Sequence, residues 1–454
     1  MVFTPPRRRP HARRPLTCAL RIGLSSLTLF AATTTHAQPT ANEPVTLSLH
    51  DAVRTATGRA LAPSAATAVA QAARERAVAA AQRPDPVLRL SLDNVPVEGA
   101  DRFSTTRDFM TQRSISVMQT FTRADKRSAR AERFEREAQA ALAERSVRIA
   151  AVQRDTAIAW FERRAAEQRQ AVLRQLRVEG QRQIEAGEAA LRGARTTPAD
   201  LIAARDGLAQ LEQAQLDVDA EVSNSRRALA RWTGDLGTGP MADAPSLARH
   251  GLAPHSVADR LAQHPDLLRL AAGEAQAAAE ADVARTEREP DWSAELMFSQ
   301  RGSRYANMVS IGVSLPLPWD RPQRQDRELA ARLAQAKALR AEREELARET
   351  LAQTEGWVEA WHAGLARLAL IDRDRTQLAQ QRIDAALAAY RGGQASLSAV
   401  LDARRAALAL QMERIDVELQ TARLWARLEF LIPQEPLADA AATATATTLE
   451  GAAR

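Results

Sequence analysis

The stretch SIGVSLPLPWDRPQR, Ser310 to Arg324, changes structural type within fifteen residues. Val309, Ile311, Val313, Leu315 and Leu317 face one way, while Ser310, Gly312 and Ser314 face the other. That is the two-residue period of a strand with a single apolar face. Asp320 then offers an N-cap, and Pro322 falls in a first turn, where its missing N–H costs nothing. The residues that follow hold no proline as far as Trp361 and a single glycine, so the spacing predicts one very long helix.

Working outward, the chain of 454 residues is 45% hydrophobic but only 4% aromatic, with 26% charged residues. Aromatic poverty with abundant Ala, Leu, Arg, Glu and Gln points to long packed helices rather than several globular domains. Residues 1–37 combine the basic RRRPHARR, an apolar run from Cys18 to Ala32, and Thr35-His36-Ala37 before Gln38. This is the pattern of a cleaved secretory signal peptide, so the mature chain is predicted to be exported.

Removing those 37 residues, which hold six arginines and no acid, leaves 56 basic against 56 acidic residues. The basic isoelectric point is therefore no argument for nucleic acid. The single cysteine, Cys18, lies at the start of the apolar run rather than after it, which makes it neither a lipid-attachment site nor a disulfide partner. Thiolate nucleophiles and Cys metal sites are thereby excluded from the mature chain. No apolar run reaches the roughly 18 residues of a membrane-spanning helix.

The chain also repeats itself. Pro84-Asp85 opens PDPVLRLSLDN and Pro290-Asp291 opens PDWSAELMFSQ, and Ser114-Ile115-Ser116-Val117 answers Ser310-Ile311-Gly312-Val313. A long helix follows in each half, entered through Thr122-Arg123-Ala124-Asp125, which has capping-box spacing, or through Trp319-Asp320. Ala159-Trp160 matches Ala360-Trp361, and Leu191-Arg192-Gly193 matches Tyr390-Arg391-Gly392.

The organisation read from this is a signal peptide at 1–37 and a first repeat at 38–233. That repeat has strands near 86–95 and 112–122 and a helical hairpin over 125–233. A linker at 234–254 precedes a second repeat at 255–433, with strands near 291–300 and 306–317 and a helical hairpin over 321–432. A small-residue tail at 434–454 reads as disordered.

From Arg127 to Gly187 the helix alone would run ~90 Å. Val152, Ala159, Ala166 and Leu173 recur at seven-residue steps, as do Leu401, Leu408, Ile415 and Ala422, joined by Ala403, Leu410, Val417 and Leu424. Two seams on one helix mean neighbours on both sides, so the helices tile a sheet or cylinder rather than a two-stranded coil.

Four strands of about ten alternating residues have the length of tilted membrane-crossing strands. The plainer alternative is a small soluble sheet capping a helical bundle. Export, the lack of disulfides and the absence of a domain-sized core around the strands favour the membrane. An open sheet edge is prohibited in lipid, and four strands are too few to close. Oligomers are required: two copies would supply eight strands and three would supply twelve.

The two-fold repeat, VSLPLPWDRPQR, and the turn motifs LRGARTTPADLIAAR and YRGGQASLSAVLDARRAAL resemble the outer-membrane factor family typified by TolC. The resemblance covers nearly the whole mature chain. It implies a mainly helical homotrimer in which each protomer gives four strands to a shared twelve-stranded barrel in outer-membrane lipid and long helices to a periplasmic α-barrel. It also implies partnership with a periplasmic adaptor and an inner-membrane RND-type pump, with no chemistry, no cofactor and no nucleic acid.

Residues Asp93 to Phe121 look like the heavy-metal branch. Some copper and silver members carry a lipidated cysteine, which leans the chain toward the cobalt, zinc and cadmium type. Drug efflux or type I secretion through the same duct is the rival within the family. An exported periplasmic coiled-coil scaffold without a pore is the rival outside it.

In that family, acidic residues near the second tip turn ring the closed end of the tunnel. Asp402 keeps the acid here and Ala399 does not, which implies either a ring of three carboxylates favouring cations or a second ring supplied elsewhere. The structural reading of Asp402 is a surface acid paired with Arg405 at i,i+3. Asp200 has capping-box spacing with Thr197 and Pro198, so a structural role suffices for it. Gly193, Gly392 and Gly393 sit where antiparallel helices reverse, a place needing positive φ or close approach, and form the tip that an adaptor would grip.

His250, His255 and His264 read as residues of the linker region between the repeats, and at spacings of five and nine they do not make an i,i+4 zinc pair. His362 reads as packing beside Trp361, and Met110, Met118, Met297 and Met308 as strand and loop residues rather than a soft-metal ladder. Gly234 to Gly239 follows a helix, so it reads as a C-cap and linker rather than a phosphate loop.

Overall fold

The computed structural model describes residues 46–193, 196–252 and 257–434, all within the compact unit Pro44–Arg454. The expected signal peptide, His255 and the tail beyond Gln434 lie outside the described residues.

Two sets of elements follow one another in the same order. The first comprises α1 (Leu49–Arg59), α2 (Leu61–Ala81), β1 (Val87–Asp93), β2 (Gln112–Phe121), α3 (Ala124–Arg192) and α4 (Pro198–Thr233). The second comprises α5 (Val257–Leu261), α6 (Pro265–Thr286), β3 (Trp292–Gln300), β4 (Met308–Ser314), α7 (Gln325–Leu370), α8 (Thr376–Arg391) and α9 (Leu397–Glu429).

Helix α3 is continuous over 69 residues, ~100 Å of helix. Its seam residues Val152, Ala159, Ala166 and Leu173 are all buried. Near its start α3 is flanked by α2 and α6, and further along by α4 and α9, so it does have neighbours on both sides. On α9, Ala403, Leu410, Ile415 and Ala422 are buried as the spacing predicts.

The largest core lies where these helices meet. Trp160 and Phe161 stand edge-on at 5.2 Å, and Phe161 meets Trp425 at 5.9 Å. The Trp160 indole N–H donates to the Leu47 carbonyl and that of Trp361 to the Leu247 carbonyl, so two non-helical segments are strapped onto the bundle. Leu47 in turn bridges Met241 in parallel, tying the start of the first repeat to the linker.

Helix α7 approaches α9 where Gly364 faces Thr421. A Cβ on Gly364 would collide with the Thr421 hydroxyl, so glycine permits the contact.

The strands form one antiparallel meander in the order β1-β2-β3-β4. Strands β2 and β3, from different repeats, are its centre, and β1 and β4 are its edges.

Three local expectations are corrected. Thr122 does not open a capping box: its hydroxyl donates to Asp291 across the repeats at 3.3 Å, and Asp125 pairs with Arg123, so α3 starts at Ala124 with Arg123 as an uncapped N-cap. Asp320 does not cap the second long helix. Arg321–Gln323 make one 3-10 turn, Arg324 breaks the path at φ −116°, and α7 begins at Gln325. Strand β4 ends at Ser314 rather than near 317, because Pro316 and Pro318 cannot donate to a ladder.

The second long hairpin over 321–432 is also interrupted. Between α7 and α8, Ile371–Arg375 form a π-turn in which the Thr376 N–H and hydroxyl both reach the Ile371 carbonyl. Ile371 is buried there, and Asp372 and Arg375 pair with Arg414 and Glu413 of α9 at 2.6 and 2.5 Å.

Candidate functional site

The β register sorts the sheet into two chemically distinct faces. Leu88, Val117, Leu296 and Ile311 lie in one cross-strand row, and Leu90, Ile115, Phe298 and Val309 in another on the same face. All eight are exposed, from 42% for Phe298 to 80% for Ile311. At the helical end of this face Phe121 stacks on Trp292 at 4.3 Å, and Trp319 beyond β4 is 91% exposed.

The opposite face is polar and partly enclosed. Its rows run Ser91, Ser114, Ser299, Met308 and Arg89, Ser116, Met297, Ser310. Ser114, Ser116 and Ser299 are buried, and the Ser114 and Ser299 hydroxyls meet at 3.1 Å. A sheet that buries serine and exposes leucine inverts the arrangement of a soluble protein. It matches a wall whose outer side meets hydrocarbon and whose inner side meets water.

Two connecting loops close the far end of the sheet. Gly302 lies so near the Thr106 carbonyl that a Cβ would clash with it, which pins the β3–β4 loop to the β1–β2 loop. Thr111, fully buried, donates its hydroxyl to the Asn94 carbonyl across the base of the longer loop.

At the opposite end of the helices lie the two tip turns. In the first, Thr197 caps α4: its hydroxyl accepts the Asp200 N–H at 3.2 Å, and the Asp200 carboxylate accepts the Thr197 N–H at 3.2 Å. The capping box is formed as the spacing predicts, and the Thr197 hydroxyl, which donates to the Asp200 carboxylate at 2.8 Å, together with the Thr197 N–H holds the Asp200 pKa below the usual carboxylate value.

In the second turn the Gln394 N–H reaches the Ala389 carbonyl and the Gly393 N–H the Tyr390 carbonyl, a Schellman arrangement with Gly393 at φ 72°. Gly193 and Gly392 have φ of −89° and −79°, so of the three tip glycines only Gly393 is left-handed. The two tips pack together through Leu401 of α9 against the buried Ile184, Leu201 and Ala204 of the first hairpin.

Asp402 is exposed and lies 3.7 Å from Arg405, so the i,i+3 pair read from the sequence is present. The tip residues Gly193, Asp200, Gly392, Gly393 and Asp402 thus gather at the helical end of the chain, remote in sequence order from the strands.

The histidines have structural positions. His264 is the N-cap of α6, not a linker residue, and its Nδ1 accepts the Asp266 N–H. His250 packs edge-on against Trp361 at 4.6 Å, and its Nδ1 accepts the Leu252 N–H. Burial lowers the pKa of both imidazoles. Among the described residues no group of three or more His, Cys, Asp or Glu side chains is placed to hold a metal ion, and no helix is long and apolar enough to cross a membrane.

Sequence reasoning missed the faces of the methionines. Met118, Met297 and Met308 all lie on the polar face, a placement visible only once the strands are paired.

Comparison with known proteins agrees with this architecture. The family model described as outer membrane efflux protein matches residues 257–433. No curated protein sequence matches the chain. Among solved structures, the outer membrane protein VceC of Vibrio cholerae superposes with a TM-score of 0.69 at 19% identity, covering 84% of this chain and 95% of its own. The outer-membrane channel OprN gives 0.71 at 18% identity, with 85% and 90% coverage. CusC, in structures addressing transmembrane channel formation, gives 0.68 at 16% identity, with 85% and 92% coverage. The chain therefore has the mainly helical, TolC-like fold of these proteins.

Proposed function

We propose that this chain is the outer-membrane exit duct of a tripartite efflux system. Three copies would close a twelve-stranded barrel by pairing the β1 edge of one with the β4 edge of the next, since neither edge is tolerable in lipid as it stands. The helices would continue the bore through the periplasm to the tip turns, where a periplasmic adaptor and an RND-type pump would engage. The duct is passive: the pump supplies the energy and the chain performs no catalysis.

The observation carrying this reading is the inverted sheet, with leucines and isoleucines outward and serines inward. The tip supports it, because both hairpin turns are built and packed at the end opposite the sheet.

For cargo we propose heavy-metal cations, on the likeness of Asp93 to Phe121 to the metal branch. The lean to cobalt, zinc and cadmium within that branch rests on the position of Cys18 alone.

Two experiments test the reading. A trimer in the outer-membrane fraction that resists carbonate extraction is expected, and a soluble periplasmic protein would return the chain to the scaffold reading. A strain lacking the protein is expected to lose growth on zinc, cobalt, cadmium, copper or silver and recover on complementation. Sensitivity to hydrophobic drugs alone would overturn the metal cargo.

A further inference from the structure

The polar face of the sheet is richest in serines, with Arg89, Asp93 and Glu295 as its charged residues in the paired rows. Against that background three thioethers stand out. Met118 on β2 pairs with Glu295 on β3, Met297 on β3 pairs with Ser116 and Ser310, and Met308 on β4 pairs with Ser299. Passing from Met118 to Met297 to Met308 moves one strand across and two residues along at each step. The three therefore form an unbroken diagonal over three strands on one face.

Diagonal neighbours on a sheet face have Cα atoms ~7–8 Å apart, within reach of flexible side chains as long as methionine. Met118 and Met297 are half-buried on this enclosed face, and Met308 is 37% exposed. Val87, opposite Met118, is the one aliphatic residue in these three rows, so hydrophobic packing within the face does not account for Met297 or Met308. A position facing water and serine hydroxyls ordinarily takes a polar residue.

We propose that Met118, Met297 and Met308 form a thioether track on the lumenal face that takes soft monovalent cations, Cu(I) and its analogue Ag(I). Thioether sulfur is a neutral, polarisable donor that selects soft ions over Zn(II) or Co(II), which prefer nitrogen and oxygen. Glu295, directly opposite Met118, supplies a carboxylate that attracts any cation without selecting among them. Neutral donors in series bind weakly enough to release, which conduction requires. The proposal rests on the duct reading for its lumen but narrows the cargo away from the cobalt, zinc and cadmium type.

The test is calorimetric titration of Ag(I), as the nitrate in chloride-free buffer, into the purified full-length protein. Met118→Leu/Met297→Leu/Met308→Leu keeps side-chain volume and removes the sulfurs. Met110→Leu, in the exposed β1–β2 loop, is the control. The wild type and the control are expected to bind Ag(I), with affinity falling by roughly 10-fold or more in the triple variant. Equal Ag(I) binding by the triple variant, or none by the wild type, overturns the track.

Potassium conductance in planar bilayers is read on the same preparations. Unchanged current through the triple variant verifies its fold and the duct. Ag(I) binding without any current would overturn the duct while leaving the thioether site, and current without Ag(I) binding would do the reverse.

Discussion

The indole N–H of Trp160 donates to the Leu47 carbonyl, and that of Trp361, its counterpart in the second repeat, donates to the Leu247 carbonyl, both at 3.1 Å. The repeats thus share a device for holding an irregular segment across the helices as well as their elements. Trp160→Phe, which removes the N–H and part of the ring system, should lose about 1 kcal/mol from the hydrogen bond together with part of the packing. Trp160→Ala, at a fully buried position, should cost about 3–5 kcal/mol. The guanidinium midpoint of the helical circular dichroism signal reads both, and equal costs would mean that the ring's volume contributes nothing.

Acid should loosen the same region. Burial holds His250 and His264 below the usual imidazole pKa of 6.5, and each uses Nδ1 to accept a backbone N–H. The unfolded chain binds these protons more readily than the folded one, so their contribution is complete above pH 6.5 and is lost as pH falls through the lower folded values. Thermal midpoints should drop between about pH 7 and pH 5. His264→Asn keeps an N-cap acceptor and should flatten part of that slope. An unaltered slope would exclude His264 as a source.

Two neighbouring glycines at the second tip should behave oppositely. Gly393 holds φ 72° with open space around it, so Gly393→Ala should cost about 1 kcal/mol from backbone strain alone. Gly392 sits at φ −79°, and a Cβ there would meet the Ala388 carbonyl oxygen at an ordinary 3.5 Å, so Gly392→Ala should be nearly neutral. Hydrogen exchange at the tip would rank them, and equal protection would mean that the Schellman turn is not what holds it.

A second glycine pair tests helix packing. Gly364→Ala should separate α7 from α9 at Thr421 and lower the melting temperature. Gly356→Ala, on the same helix with nothing within 4 Å, should raise stability by about 0.5–1 kcal/mol through helix propensity. Stabilisation by both substitutions would mean that the close approach at Thr421 is slack.

Much of this architecture was legible beforehand, because alternation and heptad spacing report local burial directly. The strands, the reversal at Leu191 to Gly193 and the capping box at Thr197 all came from such patterns. What escaped depended on partners distant in sequence. Thr122 had the spacing of a cap, yet Asp291 takes its hydroxyl. His264 looked like one of a linker cluster until its N-cap geometry appeared. The methionines could not be assigned a common face before β2, β3 and β4 were put in register. IDRDR carries no feature that separates a π-turn from ordinary helix.

Asp402 supplies the last prediction. If three copies bring it to the tunnel's closed end, Asp402→Asn should lower cation selectivity in planar bilayers, while Arg405→Gln, removing its exposed partner, should raise it. Identical reversal potentials in both variants would leave Asp402 a surface acid.

The π-turn at Ile371–Arg375 acts as a vernier between the two repeats. From Trp361 to Tyr390 the second repeat is two residues shorter than the first is from Trp160 to Leu191. Two missing residues would rotate everything beyond them by ~200° and aim the apolar seam at solvent. A π-turn absorbs one further residue without advancing the spiral, so the effective deficit approaches three, ~60° short of a whole turn. Two hairpins of unequal length between these markers can in this way still present matching faces to their neighbours.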